Sequence, residues 1–180
     1  MKKSLFAMLL LISTMSLNAL NSIDAGVQFG LPLGDYGNYA GFSFGTGFQI
    51  NVSPGFEDDL IFFASAEVNK CQSKTTWVDF FIDVPLFTGL AYTFHATKDI
   101  EIIPELGIGI INHIAYGDVY RTGNNSVDYF LDTAGRISIK TSYNLNDNIA
   151  VYIRPSWIYF FEDENTGSTL GAQLGMSLRF

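Results

Sequence analysis

Five ionisable residues stand in stretches that otherwise alternate apolar with small or polar side chains: Glu67 and Glu105 among the acids, Arg136, Lys140 and Arg154 among the bases. Set at such positions, carboxylates and cations can pair off and fill an interior, or they can form a gate whose pairs rearrange to pass an ion. Hydrolysis needs a different set. His113, Asp132 and Ser156 supply the residue types of a Ser-His-acid relay, which works only within mutual hydrogen-bond reach. Two runs, Glu162-Asp163-Glu164-Asn165 and Glu57-Asp58-Asp59, carry oxygen ligands suited to a divalent cation. Asp163, Asn165 and Gly167 open like a calcium loop but lack its acidic end, so both runs read as solvated loops. Cys71 is the only cysteine, which excludes an internal disulfide and any thiolate cluster. No phosphate-cradling glycine loop or metal-ligand spacing occurs, so no cofactor or metal is expected.

The composition points away from water. Of the 180 residues, 48% are hydrophobic, 15% aromatic and only 16% charged, against roughly 25% charged in soluble domains. A net charge of −8 and a pI near 4.5 leave nothing to neutralise a phosphate backbone, so a nucleic-acid partner is excluded. Residues 1–19 read as a secretory signal, with Lys2 and Lys3 leading an apolar stretch from Leu5 to Ile12 and a small, polar exit ending at Ala19. That stretch is too short to anchor in a bilayer. Removing the two lysines moves the net charge from −8 to −10 and leaves residues 20–180 as the functional domain.

Within that domain no apolar run is long enough for a membrane helix. Period-two alternation dominates instead, the mark of strands with two different faces. In the last strand Leu170, Ala172, Leu174, Met176, Leu178 and Phe180 alternate with Thr169, Gly171, Gln173, Gly175, Ser177 and Arg179. The same reading predicts strands over 25–33, 41–52, 60–69, 78–94, 100–113, 130–143 and 149–160, making eight with the C-terminal one. Short connections at 53–59, 95–99 and 144–148 alternate with longer ones at 34–40, 70–76, 115–128 and 162–167. The expectation is an all-β fold: a closed, antiparallel, eight-stranded transmembrane barrel with short periplasmic turns and longer extracellular loops.

Chemistry decides which face meets lipid. Glu67, Asp79, Glu105, Arg136, Lys140, Arg154 and Arg179 lie out of phase with the apolar residues of their own strands. A basic residue facing lipid at the midplane costs about 2 to 4 kcal/mol, so these residues are expected to point inward. Phe63, Phe81, Phe87, Ile111, Ile158 and Phe160 share the inward phase and make the lumen partly apolar. Tyr92, Phe94, Tyr143 and Phe180 fall at turn-side ends, and Trp157, Tyr159 and Phe42 at loop-side ends, as two aromatic girdles. Pro32, Pro85, Pro104 and Pro155 fall inside the strands, which implies bulges or local breaks in the ladder.

The run from Val84 to Phe94, the segment Ile103-Pro104-Glu105-Leu106-Gly107-Ile108-Gly109 and a final strand ending in Phe180 resemble the small outer-membrane β-barrel family that includes OmpX-like proteins and the OmpA transmembrane domain. The resemblance implies an eight-stranded barrel in a Gram-negative outer membrane. Its partners would be outer-membrane lipid, lipopolysaccharide and the assembly machinery, which would read Leu174, Met176, Leu178 and Phe180 as its signal. It implies no single activity. The expected role is structural or surface-interacting and not enzymatic, with the lumen largely filled. Loop residues Tyr36, Tyr39, Tyr116, Tyr120, Asn124 and Asn125 are candidates to touch a host or neighbouring cell. The alternative is a narrow OmpW-like conduit for small hydrophobic molecules. A lipid-modifying enzyme is less favoured, because His95 and His113 both lack the His-x-Ser arrangement of outer-membrane lipid deacylases.

Overall fold

The computed structural model describes residues 20–57, 59–120, 122–161 and 167–180. The expected secretory signal, Asp58 and the 162–166 stretch of the candidate cation loop lie outside the described residues. Eight antiparallel strands form one closed meander: β1 Leu20–Gly34, β2 Ala40–Val52, β3 Leu60–Ser73, β4 Val78–Tyr92, β5 Ile100–Gly117, β6 Ser126–Asn144, β7 Ile149–Phe160 and β8 Gly167–Arg179. A short continuation of β4, Phe94–His95, also pairs with β5, and one helical turn, α1 Tyr36–Tyr39, sits between β1 and β2. Closure comes from β1 and β8, paired from Ser22↔Arg179 to Gly34↔Gly167.

The register sets the shape. Followed once around the wall from Leu86 through Ala66, Phe48, Ala25, Met176, Val151, Tyr143 and Ile100, it returns to the first strand at Ala96, ten residues beyond Leu86. Ten residues at about 3.3 Å, set against eight interstrand steps of about 4.7 Å, tilt the strands by about 40°. Each residue then climbs about 2.5 Å, so a hydrocarbon band about 25 Å tall takes about ten residues.

The outer surface matches that length. Tyr92, Phe94, Tyr143 and Phe180 form an exposed lower girdle, with Leu60 level with Tyr92 and Ile102 level with Phe94. Ten residues above Leu60, Ile102 and Tyr143 the outward residues are the polar Lys70, Asn112 and Thr133, beyond which Ile114 and Tyr116 on β5 and Leu131 and Tyr129 on β6 continue the outer face toward the loops. Between these limits the outward side chains are uncharged on every strand. Phe42, Trp157 and Tyr159 are exposed at the upper limit, where Phe29 packs on Phe42 and Phe44 with ring centroids 6.1 and 5.4 Å apart. The expected girdles are therefore both present.

The prolines break ladders without shifting them. Pro85 falls in the gap between Ala66↔Leu86 and Asn69↔Asp83, and Pro155 in the gap between Ser138↔Ser156 and Thr141↔Ile153. Pro32 lies beyond the last β1–β2 pair, Gly30↔Ser43, and Pro104 lies where β4–β5 pairing stops at Ala91↔Glu105 and resumes at Phe94↔Ile102. Each stays in register on its other side, opposite Ile111, Ala172, Thr169 and Ile139 respectively for Pro85, Pro155, Pro32 and Pro104. A strand residue directs its N–H to one neighbour only, so proline removes one bond and leaves the far ladder intact.

A register shift does occur between Val78 and Phe80, and it corrects the expectation for Asp79. The extra residue resets the alternation, so Val78 and Phe81 face inward while Asp79 is exposed. Gly117 makes the bulge possible: its φ is +146°, and an added Cβ would lie 2.7 Å from the Trp77 carbonyl oxygen. At the loop side β5 and β6 pair up to Gly117↔Ser126, whereas the first β6–β7 pair is Ala134↔Phe160. The β5–β6 hairpin thus rises above β7, while β4 follows it up to Val78↔Gly117.

The band yields a direct test. Ile108 is 65% exposed on the outer face, close to mid-band. Ile108→Arg is expected to lower stability by about 2 to 4 kcal/mol in equilibrium urea unfolding from lipid vesicles. A loss below about 0.5 kcal/mol, the usual range for an ordinary surface substitution, would contradict lipid contact at that position.

Candidate functional site

Strand alternation carries the polar residues of each wall into the lumen, where they stack in layers. The middle layer is ionic. Glu67, Glu105, Arg136, Lys140 and Arg154 are all buried, and the fold brings them together. Arg136 Nη1 donates to Glu67 Oε1 at 2.9 Å and Nη2 donates to Gln49 Oε1 at 2.9 Å. Arg154 Nε lies 3.2 Å from Glu105 Oε2, which also accepts from Ser138 Oγ at 2.7 Å. Gln28 Nε2 donates to Glu67 Oε2 at 2.6 Å, and Gln49 Nε2 donates to Glu105 Oε1 at 3.0 Å.

Sequence reading missed the residue that completes the layer. Asp24 is fully buried and accepts from Lys140 Nζ at 2.7 and 2.8 Å and from Arg154. Its inclusion sets Asp24, Glu67 and Glu105 against Arg136, Lys140 and Arg154, so the layer is neutral. The signal was present: Ser22, Asp24, Gly26 and Gln28 alternate with Ile23, Ala25, Val27 and Phe29. A first strand begun at residue 25 excludes it. Aromatic faces add to the cation binding. The Arg136 guanidinium lies 5.0 Å from both the Phe63 and Phe87 ring centroids, and the Tyr152 ring lies 5.1 Å from Lys140 Nζ.

An apolar cluster runs along the lumen past the ions. It begins at Ile61, Ala91 and Ile103 beside the turns, continues through Phe63 and Phe87 next to Arg136, and ends at Ile111, Ala134, Ile158 and Phe160 toward the loops. Glycines paired directly with Phe63 and Phe87 on the adjacent strand admit the rings: a Cβ on Gly89 would lie 2.8 Å from Phe63, and one on Gly109 would lie 2.7 Å from Phe87. Phe81 joins a second cluster with Ala40, Cys71, Val78 and Ala115. All six apolar residues expected to face inward are therefore buried.

A smaller polar group lies nearer the loops. Asp83 Oδ1 is 2.7 Å from His113 Nδ1, His113 Nε2 is 3.3 Å from Asp132, and Tyr36 Oη donates to both Asp83 oxygens at 2.9 and 2.8 Å. Two of the three candidate relay residues thus meet. Ser156 does not join them: it pairs with Ser138 while His113 pairs with Phe130, a separation of roughly 25 Å along β6 at strand rise. Carboxylates occupy both ring nitrogens of His113. Tyr36, expected in an exposed loop, is turned inward here.

Below the ions a polar vestibule of about 280 Å³ opens to the turn side, lined among others by Asn51, Thr93, Glu105 and Lys140. Arg179 crosses its mouth to Glu101, with Nη1 3.0 Å from Oε1, and His95 lies 3.2 Å from Asp59. Leu174, Met176, Leu178 and Phe180 line the outside of β8 and are exposed. Among the described residues no group of three or more His, Cys, Asp or Glu is placed to hold a metal ion.

The whole arrangement is that of the small eight-stranded outer-membrane barrels. Neisserial surface protein A has this fold, with a TM-score of 0.66 at 14% identity over 88% of this chain and 96% of that one. A major outer-membrane protein of Thermus thermophilus aligns at 0.61 with 13% identity over 88% and 99% of the two chains. Ail, the attachment invasion locus protein of Yersinia pestis, aligns at 0.57 with 14% identity over 89% and 99%. No family model and no curated protein matches the sequence. Together with the uncharged outer band and its two girdles, the fold makes this chain an integral outer-membrane β-barrel.

A neutral buried network is sensitive to loss of one member. Arg136→Met strands Glu67 without its cation and is expected to cost about 3 to 5 kcal/mol, whereas the Arg136→Met, Glu67→Gln pair recovers a large part of that. Urea unfolding of the refolded barrels measures both. Equal stability in the single and double variants would show that the two charges do not depend on each other.

Proposed function

We propose that this chain is a non-catalytic surface protein of the outer membrane that acts through its extracellular loops, its lumen serving as a structural core. The observation that carries this reading is the filling of the lumen. Buried rings pack beside and beyond a set of ion pairs, and the vestibule on the turn side is lined by Glu105 and Lys140. An interior filled in this way transmits nothing sizeable. Outside, Tyr39, Tyr120, Asn124 and Asn125 are exposed on connections free to vary.

Charge narrows the partner. In sequence, the loop-side segments and strand ends carry Asp35, Asp79, Asp118, Asp128, Glu162, Asp163 and Glu164 against Lys70, Lys74 and Arg121. Ail has been crystallised with the heparin analogue sucrose octasulfate. The acidic loops here favour instead a basic or uncharged host or cell-surface partner. Outer-membrane lipid and lipopolysaccharide contact the wall. The rival reading, a conduit for small hydrophobic molecules, rests on the apolar upper lumen. Planar-bilayer recording and liposome uptake are expected to show neither steady channels nor solute flux; either would overturn the filled-lumen reading in favour of the conduit.

The exposed row Leu174, Met176, Leu178 and Phe180 fits recognition by the outer-membrane assembly machinery. Deleting Phe180 is expected to reduce heat-modifiable barrel in the outer membrane several-fold while export to the periplasm continues. Undiminished barrel yield in the deletion would remove the assembly role.

A further inference from the structure

Between β1 and β2 the chain leaves the barrel wall at Gly34, whose φ is +66°, turns inward through α1 and re-enters at the fully buried Ala40. A single helical turn cannot hold itself in place, and none of its residues is fully buried. Its position depends on side-chain ties. Tyr36 reaches down into the mouth, where its ring meets His113, Phe160 and Phe81 at centroid distances of 5.0, 5.4 and 6.3 Å. Its hydroxyl donates to Asp83. On the outer side Lys74 holds the turn through its backbone N–H to Tyr39 O at 2.8 Å and through Nζ to Gly37 O at 2.7 Å.

The anchor is built to survive release. Asp83 also faces His113 Nδ1 at 2.7 Å and accepts from Cys71 Sγ at 3.1 Å. A carboxylate that loses the phenol therefore keeps two partners and is not left buried and unsatisfied. We infer that α1 is a latch over the extracellular mouth, exchanging between the closed pose held by Tyr36 on Asp83 and an open one in which Tyr36 swings out and uncovers the recess of Cys71, Asp83 and His113. The open state presents to the cell exterior an acidic recess that the closed state fills with the chain's own tyrosine. The latch concerns the mouth of the barrel alone and does not depend on what the loops bind.

The sole cysteine reports the motion, because Cys71 is 1% exposed beneath Tyr36 in the closed pose. Folded protein in lipid nanodiscs is treated with a water-soluble maleimide under native conditions. Tyr36→Phe, which keeps the ring and loses the hydroxyl, is expected to label at least tenfold faster than the parent, with unchanged heat-modifiable migration. Tyr39→Phe, at an exposed position, is expected to label at the parental rate. Hydrogen exchange gives a second readout independent of thiol chemistry: amides of residues 35–40 exchange faster in Tyr36→Phe while those of β3 and β5 do not. Equal labelling of parent and Tyr36→Phe, equal acceleration in Tyr39→Phe, or exchange that rises throughout the wall would each overturn the latch.

Discussion

A backbone amide in hydrocarbon has no water to turn to. Every N–H and C=O at membrane depth must find a partner within the protein, and a sheet achieves that only by closing. The β1–β8 seam is therefore the contact on which the rest depends, and it runs unbroken from Ser22↔Arg179 to Gly34↔Gly167. Closure around eight strands fixes the stagger, and the stagger fixes the tilt. The tilt determines that about ten residues cross the hydrocarbon. Lys70 stands at the end of that crossing on β3, and Asn112 and Thr133 stand at the same count on β5 and β6.

The same constraint fills the lumen. Strand side chains alternate, so an outward face given over to lipid sends every other residue inward. Were those residues all apolar, nothing in the sequence would distinguish the two faces and a one-residue slip would be tolerated. Buried charges supply the distinction. Moving Arg136, Lys140 or Arg154 outward would place a cation in hydrocarbon and strand a carboxylate inside. The neutral set with Asp24, Glu67 and Glu105 thus serves register as much as stability, and Gln28, Gln49 and Gln173 take up hydrogen-bonding capacity that the ion pairs leave over. Glycine works at the same scale, since Gly89 and Gly109 leave the space that Phe63 and Phe87 occupy.

What the sequence revealed follows from this division. Period two is a property of each strand alone, so the eight strands, both girdles, the five ionic-layer residues and the six inward apolar residues could all be read off directly. Asp24 escapes only when the first strand is begun at residue 25; the rest of what escaped depends on neighbours. Asp79 turns outward because Gly117, on the adjacent strand, accommodates a bulge. The prolines break ladders but keep register, a distinction that needs the partner strands to be known. Ser156 shares an inward phase with His113, but phase says nothing of height, and the two lie at opposite ends of a β6 segment. Tyr36 reads as loop because only the presence of Asp83 across the lumen draws it inward.

Neutrality of the ionic layer also fixes where the remaining charge must lie. With three acids balanced by three bases in the lumen and lipid excluding charge from the wall, the acidic excess is pushed to the two rims. At the turn side Arg179 offsets part of it through Glu101. At the loop side Lys74 is taken up by the α1 backbone, and Asp118 turns its carboxylate onto the amides of Thr122 and Gly123. The charge balance there is acidic. On the proposed surface role, a partner at this rim would be steered by charge and held by the exposed tyrosines and asparagines, and a polyanionic surface would be disfavoured.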